Sequence, residues 1–184
     1  MPGPGGRAEE FADAALRLVA RGGLQAVSVR TVAAEAGWSA GALQKVFATK
    51  EDLLRAAVDL MDRRVQERLH RLPLTGGPVD DLLALVEETL PLDERRRDEA
   101  LVWTAFSLEA ARTPWIAEVL HAQTTAVLHD LTGLLGGDAA AARTAQAVVA
   151  LADGFALRLL HSPADVPAAQ EALRASLRTL LAAL

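Results

Sequence analysis

The 184-residue chain has no cysteine, so it can build neither a disulfide framework nor a thiolate metal site. It has no tyrosine and few other aromatics, three Trp and four Phe. No stretch alternates β-branched with polar residues, so no sheet is expected. No apolar run reaches the roughly 20 residues that a membrane span needs. The start, Met1-Pro2-Gly3-Pro4-Gly5-Gly6, lacks the apolar centre of a signal peptide and reads as a flexible lead over residues 1–6. These absences suggest a cytoplasmic chain that stays out of the membrane. Lysine is scarce too: there are two, Lys45 and Lys50, both in the first 50 residues.

What remains is Ala, Leu and Arg, a helix-forming composition. The net charge is -5, which argues at first against a polyanionic partner. Its distribution argues the other way. Residues 1–50 carry six basic and four acidic side chains, while the remainder carries 13 and 20. An acidic body with a weakly basic head would turn that head toward nucleic acid, although so small an excess also arises by chance in an Arg-rich chain.

Breakers divide the chain into about nine helices, an all-α fold. Phe11, Ala15, Leu18 and Val19 form an apolar stripe that ends at Arg21-Gly22-Gly23. Ser28 can cap a short helix whose buried face is Val29, Val32, Ala33 and Ala36, closed by Gly37. Ser39 can cap another, ending near Phe47. Thr49, with Asp52 three residues on, opens a longer helix to about Leu72. The Gly- and Pro-rich stretch from Pro73 to Pro78 separates this part from further helices at about 79–90, 94–111, 114–135, 138–161 and 167–183.

Ser28–Phe47 therefore reads as two short helices about a tight glycine turn, the geometry of a helix-turn-helix. With Leu43, Val46 and Phe47 inward, Gly41 and Lys45 face outward, flanked by Ala42 and Gln44. Gln44 suits an adenine edge, and Lys45 suits guanine or a phosphate. The small Gly41 and Ala42 let the backbone approach a partner. A capped Ala/Gly hairpin also occurs in ordinary helical packing, and Trp38 at the turn reads as a wedge bracing the two helices.

The flanking residues go further. Ala14-Ala15-Leu16, Ala20-Arg21-Gly22-Gly23, Ser28-Val29-Arg30, Ala33, Ala36-Gly37, Ser39, Gly41, Leu43, Phe47 and Lys50-Glu51-Asp52-Leu53-Leu54 together resemble the DNA-binding domain of TetR-family regulators. The resemblance implies a helix-turn-helix domain over 7–53 and a ligand-binding and dimerisation domain over 54–184. It implies a homodimeric, ligand-responsive repressor on a palindromic double-stranded operator, with no cofactor and no catalytic or metal site. On the family pattern Ser28, Gln44 and Lys50 meet the DNA backbone, with Gly41, Ala42 and Lys45 in the groove. Arg30, Ser39 and Ala40 complete the expected surface. The chain departs from the pattern at Gln44, where the family has Tyr, at Trp38, usually a small aliphatic residue, and at Ala40, often basic. A recognition helix with so few charges implies a shallow salt dependence.

In the body, Val102-Trp103-Thr104-Ala105-Phe106 and Ala152-Asp153-Gly154-Phe155-Ala156-Leu157-Arg158 resemble the betaine-regulator branch of the family. Candidates for contact with a small apolar effector are Trp103, Phe106, Glu109, Trp115, His121, Thr124, Asp153 and Phe155; for each, core packing or a solvated helix face is the plain alternative. The last two helices carry broad apolar faces, Val148, Val149, Leu151, Leu157, Leu159 and Leu160 on one and Leu173, Leu177, Leu180, Leu181 and Leu184 on the other. Pairing two copies would make a four-helix interface; completing the monomer core is the alternative.

Two other functions are less well supported. An enzyme would need a constellation this chain lacks: the histidines are scattered, and His121 and His129 stand two turns apart, too far for a zinc-binding i, i+4 pair. A helical adaptor could use the same hairpin for a protein partner, but would show no salt-sensitive hold on DNA.

Overall fold

Caps and breakers set the helix limits. The computed structural model of the protein describes residues 4–74, 77–182 and 184. Within them lie nine α-helices: α1 Pro4–Gly22, α2 Val29–Glu35, α3 Ala40–Gln44, α4 Lys50–Leu69, α5 Pro78–Thr89, α6 Glu94–Ala110, α7 Pro114–Leu134, α8 Ala139–His161 and α9 Val166–Leu181. Single 3-10 turns sit at Leu24–Ala26 and Pro163–Asp165. α1 takes in residues 4–6 of the lead expected to be flexible, and residues 1–3 lie outside the described residues. α4 stops at Leu69, three residues short of the expected Leu72.

The caps explain why these segments start where they do. The Ser28 hydroxyl accepts from the Thr31 N–H, and the Thr31 hydroxyl accepts from the Ser28 N–H, a reciprocal box. Thr49 and Asp52 form the same box for α4. Asp93 and Asp138 cap α6 and α8, and proline opens α5 and α7, where its missing N–H costs nothing. Gly37, at φ 73°, makes the left-handed turn between α2 and α3.

Two apolar clusters hold the helices. The first joins Phe11, Ala15 and Val19 of α1 with Val32, Leu43, Leu53 and Val58, and extends to Val102, Phe106, Ile116 and Leu120 of α6 and α7. Each Leu or Phe fully buried there stabilises the fold by about 2 kcal/mol relative to exposure. The core of the N-terminal helices is thus continuous with part of the body, and α4 passes unbroken through both. The second cluster joins Leu82, Leu83, Val86 and Leu90 with Val148, Leu159, Leu173 and Leu177, binding α5 to α8 and α9. The apolar faces of the last two helices are therefore spent largely inside the monomer. Leu157 and Leu184 are the exceptions, 54% and 49% exposed.

Charge completes the joints. Arg68, near the end of α4, donates to Glu88 of α5 at 2.6 Å and to both carboxylate oxygens of Glu99 of α6 at 2.9 and 2.5 Å. All three side chains are 20% exposed or less. Arg174 of α9 pairs with Asp80 of α5, and Gln170 donates to Glu87 at 2.8 Å. Among the described residues no helix is long and apolar enough to cross a membrane.

Candidate nucleic-acid interface

α3 is too short to stand alone, so its position comes from its neighbours. Leu43 is buried and Phe47 nearly so, which seats the inner face on α1 and α2. The Ser39 hydroxyl accepts from the Ala42 N–H at 3.2 Å and starts the helix. The opposite face, Ala40, Gly41, Gln44 and Lys45, is exposed, with Ala42 half-buried. This is the orientation that the apolar spacing predicts. A Cβ built on Gly41 would meet nothing within 4 Å. The fold does not require glycine there.

The base of the hairpin is braced from α1. Arg17 donates to Glu35 at 2.8 Å and Arg21 donates to its other oxygen at 2.5 Å. These two guanidiniums, Arg17 first, hold the Glu35 carboxyl below the usual carboxylate range. The acidic group that ends α2 is thereby paired. Trp38 leads into Ser39 and is half-buried, and its indole N–H donates to Glu10 of α1 at 2.8 Å. The guanidinium of Arg7 lies over the same ring, 4.5 Å from its centroid. Trp38 thus braces the turn, as expected. Arg7 escaped sequence reading, because nothing local in the chain links positions 7 and 38.

Ser28 and Arg30 at the start of α2, and Lys50 at the start of α4, are all exposed. Among the described residues Arg30, Lys45 and Lys50 enter no ion pair. The Lys50 ammonium donates to the carbonyl of Leu24 at 3.0 Å, which pins the 3-10 turn and leaves two of its N–H groups for a partner. The surface across the starts of α2 and α4 and the outer face of α3 thus carries unneutralised cations around a smooth, small-residue centre. That combination suits a polyanion approached at close range.

The eight effector candidates lie in different surroundings. Phe106 is fully buried in the first cluster, with Trp103 and Trp115 packed against it. Trp115 also lies under the guanidinium of Arg55, 4.6 Å from its ring centroid. Glu109 accepts from the Thr113 hydroxyl at 2.8 Å and so closes the turn between α6 and α7. His121 and Asp153 are exposed, and Thr124 is half-buried. Phe155 packs on the second cluster. An open groove of about 350 Å³ between α1, α4 and α6 is floored by Leu16, Met61 and Val102 and includes none of the eight.

Comparison with known proteins agrees with this arrangement. Residues 11–57 match the family described as bacterial regulatory proteins, tetR family, and residues 78–184 match the BetI-type transcriptional repressor C-terminal family. The chain is 29% identical to the HTH-type transcriptional regulator PksA of Bacillus subtilis (strain 168) over 87% of its own length and 82% of the relative's. A transcriptional regulator from Rhodococcus sp. Rha1 superposes with a TM-score of 0.87 at 33% identity, covering 95% of both chains. The multidrug binding protein EbrR, solved with imidazole, gives 0.69 at 31% identity, covering 95% of this chain and 89% of that one. The smooth-faced α3 and its braced turn belong to a DNA-binding head, and the chain is a member of the TetR family of bacterial transcriptional regulators, with a BetI-type C-terminal region.

Proposed function

We propose that the protein is a ligand-responsive repressor that binds a palindromic operator as a homodimer and leaves it when a small apolar effector enters the body. The observation that carries this reading is the outer surface of the hairpin, where Arg30, Lys45 and Lys50 stand free of carboxylates around Ala40, Gly41 and Ala42. Gly41, Ala42 and Lys45 enter the major groove, with Lys45 on a guanine edge or a phosphate. Ser28, Arg30, Ser39, Gln44 and Lys50 take phosphates on either side. A two-fold operator needs two heads about 34–36 Å apart. The surface that joins them is the outer face of α8 and α9, where Ala150, Gly154 and Leu157 stand exposed beside Ala172 and Ala175. The effector enters among α6, α7 and α8, where Trp103, Thr124 and Phe155 are half-buried on mutually packed helices. The likeness to EbrR supports a small-molecule effector, since that protein is called a multidrug binding protein and its solved structure holds imidazole.

Selection of bound duplexes from a random pool at low salt tests the reading. Retention of a palindrome, with affinity that falls as salt rises and a loss of about 1–3 kcal/mol on Lys45→Ala, is the expected result. A pool that emerges unenriched would reject it and leave the hairpin as a protein-docking element.

A further inference from the structure

The start of α1 holds an arrangement that the hairpin's own contacts leave unused. Arg7 lies flat on Trp38, 4.5 Å from the ring centroid. Its Nε is buried and makes no hydrogen bond. Every carboxylate on the first half of α1 is engaged elsewhere. Glu9 faces Arg64 at 3.7 Å, Glu10 accepts from the Trp38 indole at 2.8 Å, and Asp13 pairs with Arg17 and Arg64. Residues 1–6 contain no acidic side chain. Arg7 therefore has no ion-pair partner among the described residues.

Its support is specific. The Glu10 contact fixes the indole ring, and Trp38 is anchored by its backbone N–H donating to Ala33 at 2.8 Å. Trp38 directly precedes Ser39, the residue that caps α3. A guanidinium stacked on a ring face is ordered without using the N–H groups at its edge. A fold that needed Arg7 only for packing would gain by supplying a carboxylate to it. This one instead directs Glu10 to the indole and leaves the cation on the ring of the residue that precedes the α3 cap.

We infer that Arg7, held in place by Trp38, is a DNA-backbone contact that takes a phosphate beside the groove entered by α3. This rests on the reading of α3 as the recognition helix. A planar fork matches two oxygens of one phosphate, and such a contact adds affinity and fixes register without reading sequence. It also gives Trp38 a task that a small aliphatic residue could not perform, and it compensates for a recognition helix with a single charge.

The test is a salt series on the selected duplex and on a scrambled one, using wild type, Arg7→Gln, Arg7→Lys and Lys45→Ala, with melting curves for each. Arg7→Gln should weaken binding to both duplexes alike and lower the salt slope by about two for a dimer that loses one phosphate contact per protomer. Arg7→Lys should keep the slope, and its melting curve should match that of Arg7→Gln. Trp38→Leu, which frees Arg7, should move binding in the same direction as Arg7→Gln by a smaller amount. If wild type binds and Lys45→Ala weakens it while Arg7→Gln keeps the wild-type slope, the role of Arg7 is refuted and the recognition helix stands. If wild type holds neither duplex in a salt-sensitive way, both readings fall.

Discussion

Gly41 illustrates how a residue's cost to the fold can point to its use. A glycine in an exposed helix costs about 1 kcal/mol relative to alanine. Glycine is excused when a neighbour would collide with a side chain or when φ is positive. Neither applies at Gly41, where a Cβ would point into open space. Under the proposed function, the closeness it permits is to the DNA groove. Gly41→Ala should melt no lower than wild type. Gly41→Leu should also fold, yet bind the operator about tenfold more weakly or worse, the scale of one lost base contact. Circular dichroism melting alongside fluorescence anisotropy separates the two effects; a Gly41→Leu protein with wild-type affinity would remove α3 from the groove. Lys50 shows the opposite economy. Its ammonium already serves the Leu24 carbonyl, so its substitution disturbs the 3-10 turn as well as any phosphate contact.

Among the elements, the helix starts show most clearly how charge and hydrogen bonding set boundaries. Asp93 caps α6 by accepting from the Arg96 N–H at 2.8 Å. That backbone bond, followed by the nearby Arg96 charge, holds its carboxyl below the ordinary range. A depressed carboxyl stabilises the fold above its unfolded value near 3.8 and loses that contribution as pH falls through the lower folded value. Asp93→Ala should therefore cost about 1 kcal/mol at neutral pH, and the difference from wild type should shrink in acid. Denaturant titrations at pH 7 and at pH 3 or below measure this; a gap that widens in acid would contradict it.

Caps of this kind are local, which is why most of the helix plan was legible. Ser28, Ser39 and Thr49 announce their helices within four residues, and the starts of α5 to α9 fall within one residue of the expected positions. The inward turn of Leu43 and Phe47 was legible for the same reason, through helical spacing. Long-range partners were not. An apolar stripe on α9 says that Leu173 and Leu177 are covered but not by what, and the cover proves to be α5 and α8 of the same chain. Likewise, Trp103, Phe106 and Trp115 read equally as effector contacts or as core, and in the fold Phe106 lies in the first cluster with Trp103 and Trp115 packed against that cluster. The Arg7–Trp38 stack joins positions 31 apart in the sequence, and no periodicity reports it.

For the whole molecule, the decisive question is how two copies meet. Gly154 repeats the logic of Gly41 on a larger element. It lies mid-way along α8, is exposed, and has nothing within 4 Å of where a Cβ would stand. In the proposed interface it stands with the exposed Ala150 and Leu157 of the same helix and the exposed Ala172 and Ala175 of α9, small side chains that let a second pair of helices lie close. Gly154→Leu should keep the monomer folded, shift sedimentation toward the single-chain species, and weaken operator binding through loss of the second head. An unchanged dimer would place the interface elsewhere. Leu157 gives the surface its apolar relief, because the larger side chains of these two helices are committed to the second cluster.

The Arg68 fork has a consequence for how such a chain can change over generations. One guanidinium satisfies carboxylates from two helices at a site with little solvent. Losing Arg68 alone strips Glu99 of its guanidinium and leaves Glu88 with only the longer contacts of Arg95 and Arg96 at 3.5 Å, and losing either acid alone leaves a charge half-answered, so each single step is penalised. Replacing all three together with apolar residues of similar volume avoids that penalty, because, of the other cations on Glu88, Arg95 is exposed and Arg96 keeps Asp93 at 2.8 Å. The joint between α4 and the body is therefore a trait inherited as a set, able to persist or to be exchanged whole, but poorly able to drift one position at a time.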